Sequence, residues 1–483
     1  MAVAVVMAQL AGCSAPVRYG PLASPELPSA WMAAPQAVGK TGREEARAAA
    51  GNVSNSQPHA GADSTPRAVV AGAAPAGANA GQWWQAFGDA TLDSLIEEAL
   101  AKNPDLAMAA LRVRRARLEA GLVDAELGPQ ASLTTGVGAT RAFGGDRARV
   151  SMGANATVSF ELDLWGKLAA QRDEAAWQAQ ASEADREAAA ALLIGTTAKL
   201  YWHIGYLNES IALGEASIAD AMRTLTMMEA RVASGAASPF DVAQARLQLA
   251  RLQAGQAQWR IERESKRNAL ALLLDRPPEA RGAEREDLSG ASLPEVPARL
   301  PATVLARRPD LRAAESRLRA TMAKVDITRA AIYPSLALTS EFGTSSDVLV
   351  RTLQNPIASI GAALALPFVQ WNTVRVRAAI SENEFDEAAI DFRKQLYRAL
   401  ADVESALAAK TQLDAEAAEH ARVLEDATFS SAYAHTRFEL GATDAAPWLE
   451  AQRAQRAAGL ERVRNQLARL ENRMDLFLAL GGA

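Results

Sequence analysis

The 483-residue sequence predicts a mixed α and β membrane protein that is mainly α. Four strands per chain need further copies to close a β-barrel, a trimeric 12-stranded one if the copies are three, and that barrel continues into a long helical one. Three observations lead there. The chain contains an internal duplication. Each repeat holds a stretch where the apolar period switches from helical to alternating. Each then runs into a helical segment of roughly 69 residues, ~100 Å long at 1.5 Å per residue, which no ordinary globular domain uses.

Apolar residues make up 49% of the chain and aromatic ones 5%. The apolar share therefore rests on Ala, Leu and Val, a mix that favours long helices over a sandwich core. The net charge of −5 lacks the basic excess of a general nucleic-acid binder, so no nucleic acid is expected among the partners. There is no run of 18 or more apolar residues, so any membrane crossing has to use strands of a closed barrel. Cys13 is the single cysteine, which excludes an intramolecular disulfide and a multi-cysteine metal site. His59, His203, His420 and His435 are scattered. Gly39-Lys40-Thr41 lacks the preceding glycine of a phosphate loop, since Ala34 stands there. With no nucleophile–base set either, no enzyme is expected, and no metal or cofactor other than covalent lipid.

Residues 1–12 are a short apolar stretch ending in Leu10-Ala11-Gly12. With Cys13 they resemble a bacterial lipoprotein signal peptide and its lipobox. That resemblance implies cleavage before Cys13 and an acyl and diacylglycerol lipid on it. Each buried methylene is worth ~0.8 kcal/mol, and two or more chains anchor stably. Ser14 follows instead of Asp, which in such proteins permits sorting to the outer membrane. The Lys or Arg that usually precedes the apolar core is lacking. The competing reading of Cys13 is a small, unmodified, buried thiol. Residues 13–38, broken by Pro16, Pro21, Pro25, Pro28 and Pro35, read as an extended segment. Residues 39–81 have no apolar period and read as a disordered linker or insertion.

The repeats occupy 82–290 and 291–483. Asn103-Pro104-Asp105-Leu106 returns 205 residues on as Arg308-Pro309-Asp310-Leu311, and Pro129 returns as Pro334. Trp165 and Trp371 are 206 residues apart, as are Gly235 and Gly441. Four anchors in order, holding register to one residue, mark a duplication. From Leu92 to Leu127 the apolar residues follow the i, i+3, i+4 spacing of a helix. A hairpin over 129–164 comes next. In its second strand Val150, Met152, Ala154, Ala156, Val158, Phe160, Leu162 and Leu164 alternate with Ser151, Gly153, Asn155, Thr157, Ser159, Glu161 and Asp163. One face is greasy and the other wet. The second hairpin, 334–369, carries Leu336, Leu338 and Phe342 on one strand and Ile360, Ala362, Leu364 and Leu366 on the other. The helical period returns from Trp165 to about Ala233 and from Thr373 to about Glu439. Each long helix is followed by a Gly-containing turn and a shorter helix, about 240–274 and 445–480.

Four strands cannot close a barrel, for which about eight are the minimum. Open edges are not tolerated in lipid, so other copies must complete the wall, and three copies give twelve strands. Asn155, Thr157, Ser159, Glu161 and Asp163 then line a wet lumen. The long helices carry charges such as Arg172, Asp173, Glu174 and Glu183 and must project into water as a second barrel.

Trp83-Trp84-Gln85-Ala86-Phe87-Gly88-Asp89 before Leu92-Asp93-Ser94-Leu95-Ile96, the two Pro-Asp-Leu motifs and Phe160-Glu161-Leu162-Asp163-Leu164-Trp165-Gly166 point to a known family. With the element order they resemble the outer-membrane efflux protein family (TolC/OprM-like) over about residues 14–38 and 82–483. With the lipobox, the chain is similar to the lipoprotein branch, the NodT-like outer-membrane factors of resistance-nodulation-division (RND) pumps. The resemblance implies a homotrimer in the outer membrane of a Gram-negative bacterium, lipid-anchored and extending through the periplasm. It implies a periplasmic membrane-fusion adaptor and an inner-membrane RND transporter as partners, and passive export of drugs or other small molecules.

The family also implies a periplasmic gate, with Glu450 and Arg453 at the constriction and Phe438 at an aromatic gate position. Three Glu450 carboxylates in a ring would select for cations. The plain alternative is a solvated ion pair of Glu450 with Arg453, three residues on. Gln244 is the first-repeat counterpart of Glu450. Where the family commonly has Asp-Gly-Gly after the second hairpin, this chain has Gln370-Trp371-Asn372; Asn372, tolerant of positive φ, is expected to keep the turn. Trp202 and Trp259 read as inter-helix core, and Trp83 and Trp84 as packing of the N-terminal segment against the barrel. Two other functions fit part of the pattern. The duct of a type I protein-secretion system is disfavoured by the lipobox. A lipid-anchored periplasmic coiled-coil adaptor or scaffold has no use for a fifteen-residue apolar strand face.

Overall fold

The computed structural model describes residues 82–141, 149–295, 302–346 and 356–482. The expectations for the signal peptide, Cys13, the extended segment and the linker lie outside the described residues. After a 3-10 turn at Trp83–Phe87 come α1 (Ala90–Lys102) and α2 (Pro104–Glu126). The helix expected over Leu92–Leu127 is thus two helices. Pro104 has no N–H to continue α1 but is well suited to open a helix. Asn103 caps the break: its Oδ1 accepts from Leu106 N at 3.0 Å and its Nδ2 donates to Leu273 O at 3.0 Å.

The first repeat continues with β1 (Gln130–Thr140), β2 (Arg149–Leu162), α3 (Lys167–Ala233) and α4 (Pro239–Leu273). The second runs α5 (Pro309–Ala330), β3 (Ser335–Ser346), β4 (Pro356–Ala365), α6 (Trp371–Glu439) and α7 (Ala446–Ala479). At 67 and 69 residues, α3 and α6 each span ~100 Å. α3 packs on α2, α4, α5 and α7, and α6 on α5 and α7.

The four strands form one antiparallel sheet in the order β1-β2-β3-β4. The two hairpins join along β2 and β3, from Leu162 opposite Leu336 to Met152 opposite Ser346. Among the described residues, the outer edges of β1 and β4 have no strand partner.

The main core gathers where the N-terminal turn and α1 meet α3, α6 and α7. Trp84, Phe87, Trp202 and Phe477 belong to it, with Trp202 only 1% exposed. Trp83 stacks on Phe477 at 5.7 Å between ring centroids, so both tryptophans of the N-terminal turn pack against helices. Trp259 lies where a Cβ at Gly214 would strike it; that glycine lets α3 and α4 approach closely. A polar node ties the same region together: Asp89 accepts from the Tyr201 hydroxyl at 3.1 Å and from Arg285 Nη1 at 2.6 Å. Burial and then the charge of Asp89 push the Tyr201 hydroxyl up to about 12, so it stays a donor.

The strand-to-helix junctions differ between repeats. In the first, Gly166 at φ 75° turns the chain into α3. In the second, a 3-10 turn at Pro367–Gln370 runs directly into Trp371. Asn372 therefore lies inside α6 and is not the positive-φ residue of the turn. The proline fixes φ for a tight turn and removes the need for one.

Candidate functional site: a one-sided sheet and a helical tip

Residues directly opposite in a ladder share a face, so the register sorts the whole sheet. On one face, Thr157 has Ser132 on one side and Glu341 on the other, with Ser359 beyond. Asn155 aligns with Thr134, Ser159 with Gln130 and Thr339, and Glu161 with Ala337. On the other face, Ala156 lies between Leu133 and Phe342, and Phe160 aligns with Leu338 and Ala362. The alternation read in β2 thus carries into its neighbours, with Thr135, Ser340 and Thr344 among the exceptions on the apolar face and Ile357 on the polar one. The apolar face is uncovered: Leu133 is 74% exposed and Ile360 90%.

Of the residues expected to line the wet face, Asn155, Thr157, Ser159 and Glu161 stand on it together. Asn155 Nδ2 donates to Thr157 Oγ1 at 3.4 Å, and Lys167 Nζ donates to Glu161 Oε1 at 3.2 Å. Asp163 does not belong to the strand, which ends at Leu162. Its carboxylate instead accepts from Leu168 N at 3.1 Å and Ala169 N at 2.9 Å. The first N–H groups of α3 lack helical partners and draw in a carboxylate, which outweighs continuing the ladder.

At the far ends of the long helices, two turns form the tip. Each closes with the same C-terminal motif. Gly235 at φ 74° and Gly441 at φ 71° follow α3 and α6. Ala236 N donates to Arg231 O at 2.8 Å and Ala442 N to Arg437 O at 2.9 Å, the Schellman pattern that satisfies orphan carbonyls. Beside them a small core unites Met228, Val242, Ala245, Phe438, Ala445 and Trp448.

Phe438 belongs to that core. It is 2% exposed, stacks on Trp448 at 5.2 Å and lies beneath the Arg231 guanidinium at 4.0 Å. Within one chain its ring is covered by these neighbours, and burying so large a ring stabilises the tip. Glu450 and Arg453 are placed as expected on one face of α7. Arg453 Nη1 donates to Glu450 Oε2 at 2.7 Å, with the side chains 50% and 68% exposed. Gln244, their first-repeat counterpart, is also exposed. Sheet and tip lie at opposite ends of α3 and α6, so the candidate site is two separate regions rather than one pocket. Among the described residues no group of three or more His, Cys, Asp or Glu side chains is placed to hold a metal ion. No described helix is long and apolar enough to cross a membrane.

One set of polar residues escaped the sequence reading. Asp414 accepts from Arg469 at 3.0 Å and Arg473 at 2.8 Å, and Asn208 accepts from Arg263 at 3.1 Å. Carrying the 206-residue offset onto polar positions would have paired Asn208 with Asp414 and Arg263 with Arg469.

The outer membrane efflux protein family model matches residues 95–276 and 300–482, once per repeat. The chain is 31% identical over 414 residues to the pyoverdine export outer membrane protein OpmQ of Pseudomonas putida, covering 83% of this chain and 88% of that one. It is 26% identical to the probable outer membrane lipoprotein SilC of Salmonella typhimurium, over 83% of this chain and 87% of that one. The crystal structure of the outer membrane protein VceC from Vibrio cholerae shares its fold, with a TM-score of 0.78 at 23% identity over 83% of this chain and 98% of that one. A duplicated chain with one sheet of two unlike faces and two long helices, matched by the family model in both halves, belongs to the outer membrane efflux protein family.

Proposed function

We propose that three copies of this chain form an outer-membrane duct that passively exports small molecules for a tripartite efflux system. The observation that carries this reading is the sheet, with one uncovered apolar face, one polar face and two unpaired edges. Lipid covers the first face, water the second, and neighbouring copies the edges.

The helices extend the same logic. Met108, Leu111, Leu118 and Leu122 make an exposed stripe on α2, and Val376, Ile380, Ile390 and Tyr397 another on α6. α2 leads into edge strand β1, and α6 leaves edge strand β4. Each copy thus offers β1 with α2 on one flank and β4 with α6 on the other. Such a pairing is head to tail and closes as a ring. The polar face, with Asn155, Thr157, Ser159 and Glu161, lines the lumen. Glu450 and Arg453 stand at the periplasmic constriction, where a periplasmic adaptor and an inner-membrane RND transporter dock. A lipid on Cys13 adds an anchor; the lipobox and the lipoprotein name of SilC support it.

The test compares the two faces. In purified, detergent-solubilised protein, a trimer that conducts ions in a planar bilayer is expected. Leu338→Arg, on the apolar face, should cost ~2–4 kcal/mol of insertion at the bilayer centre and abolish conductance. Thr339→Arg, on the polar face, should insert and alter ion selectivity. A monomer that stays soluble without detergent, or equal tolerance of both substitutions, overturns the reading.

A further inference from the structure

A recess of about 250 Å³ opens where the sheet meets the helices. Of its strand residues, Glu161, Ser335 and Ala365 lie on the polar face by the ladder register, and Leu162, the last residue of β2, on the other. Through the first three it borders the space that Asn155 and Thr157 face. Trp165, Tyr333 and Lys167 complete its wall. The two rings stack with centroids 4.8 Å apart and planes 23° from parallel. Trp165 Nε1 donates to Pro334 O at 2.7 Å, which fixes the indole. Even so, Trp165 remains 41% exposed and Tyr333 38%, an aromatic surface held in place but left uncovered.

The charges are equally suggestive. Lys167 is paired with Glu161, and Asp163 lines the same recess. Two carboxylates against one ammonium leave a formal excess of one negative charge, with Asp163 held by the Leu168 and Ala169 N–H groups. Ring faces also attract cations, so both features select the same sign.

We propose that this recess is a wayside site in the duct wall for the flat cationic head of an exported molecule, an aromatic ring system bearing a positive charge. The proposal rests on the duct reading, with the polar sheet face as the lumen. The recess is smaller than the ~300–1,000 Å³ of sites that enclose a drug-sized ligand, so it takes one or two fused rings and leaves the remainder of the molecule in the bore. A passage site has to be weak, favourable enough to enter and loose enough to leave, and a shallow, solvent-open recess meets that condition.

The experiment uses the purified full-length protein in detergent, with N-methylquinolinium as the probe and 2-naphthoate as an anion of similar shape. Equilibrium dialysis should find one saturable site per chain for the cation and none of comparable affinity for the anion. Glu161→Gln keeps a partner for Lys167 but removes the charge; it should weaken binding by about two- to fivefold. Trp165→Leu should abolish saturable binding. Tyr333→Leu, which spares the indole hydrogen bond, should do the same if Trp165→Leu fails to fold. Equal binding of the anion, unchanged affinity in Glu161→Gln and the aromatic variant, or a co-purifying phospholipid filling the recess overturns the proposal. Single-channel conductance of the unmodified protein is measured alongside. Conduction without probe binding removes the wayside site alone, whereas absence of conduction removes the duct.

Discussion

The two repeats solve one packing problem with different chemistry. Asn208 and Asp414 occupy equivalent positions 206 residues apart, as do Arg263 and Arg469. Between α3 and α4 the acceptor is the neutral amide of Asn208, which takes Arg263 at 3.1 Å and itself donates to Arg285 O at 2.8 Å. Between α6 and α7 it is the carboxylate of Asp414, which takes Arg469, Arg473 and Lys410. Burial raises the Asp414 carboxyl, but hydrogen bonds from Arg473 and then Arg469 outweigh it and hold it below the ordinary carboxylate value. Arg473, with its side chain 3% exposed, relies on that charge. The tips differ too. Ser238 and Asp241 form a reciprocal capping box at the start of α4, while Ala445 gives α7 no side-chain cap. The fold asks only for an acceptor at the helix pair and a glycine at the turn. The acceptor of the second repeat is ionisable, and the turn of the first carries a local lock.

The largest test of that contrast is at the tip cores. Trp448→Ala should cost ~3–5 kcal/mol, seen as lost hydrogen-exchange protection around the second turn. Val242→Ala, at the equivalent site, should cost about 1–3 kcal/mol. Equal losses would erase the asymmetry.

Acid comes next. The folded pKa of Asp414 is depressed, so its contribution is complete above the unfolded value of ~3.9 and is lost as pH falls through the folded one. Exchange measured from neutral pH downward should show α6 and α7 loosening around Asp414 below about pH 4, a response that the neutral Asn208 cannot give at the equivalent place between α3 and α4. Asp414→Asn should cost ~1.5–3 kcal/mol at neutral pH and flatten that acid response. Asn208→Asp should install it in the first repeat. An acid response identical in wild type and Asp414→Asn would show that this carboxylate is not its source.

Ser238→Ala should cost ~1 kcal/mol and increase fraying at the first turn only. Glu450→Ala should change stability least, by under ~0.5 kcal/mol, because an exposed pair contributes little. It should nevertheless raise ion conductance through the closed duct, while Gln244→Ala leaves it unchanged. Equal single-channel currents in Glu450→Ala and wild type would remove the gate assignment.

Periodicity made most of the fold legible. The alternation around Thr157 and the long helical runs after Trp165 and Thr373 found β2, α3 and α6, because each pattern spans many residues and errors average out. Local decisions were harder. Asp163 continues the alternation in letters, but the free N–H groups of α3 claim it, a competition that no period records. Asn372 suits a turn by residue type, but Pro367 makes that turn by another route. Phe438 shows the limit for site residues: position along a helix was readable, but which way the ring packs depended on Trp448 and Arg231, one lying beyond the turn and the other on another helix. Glu450 and Arg453 were readable because their pairing needs only one helix face.

The unpaired edges of β1 and β4 have a genetic consequence. A chain with β4 disabled and β1 intact still docks on a healthy neighbour and then offers the next one nothing. In the proposed ring of three, one such member spoils the whole, so equal expression of damaged and normal chains would leave only about one-eighth of the rings intact. Lesions confined to a single edge should therefore behave as dominant, whereas lesions that stop the chain from folding should be recessive.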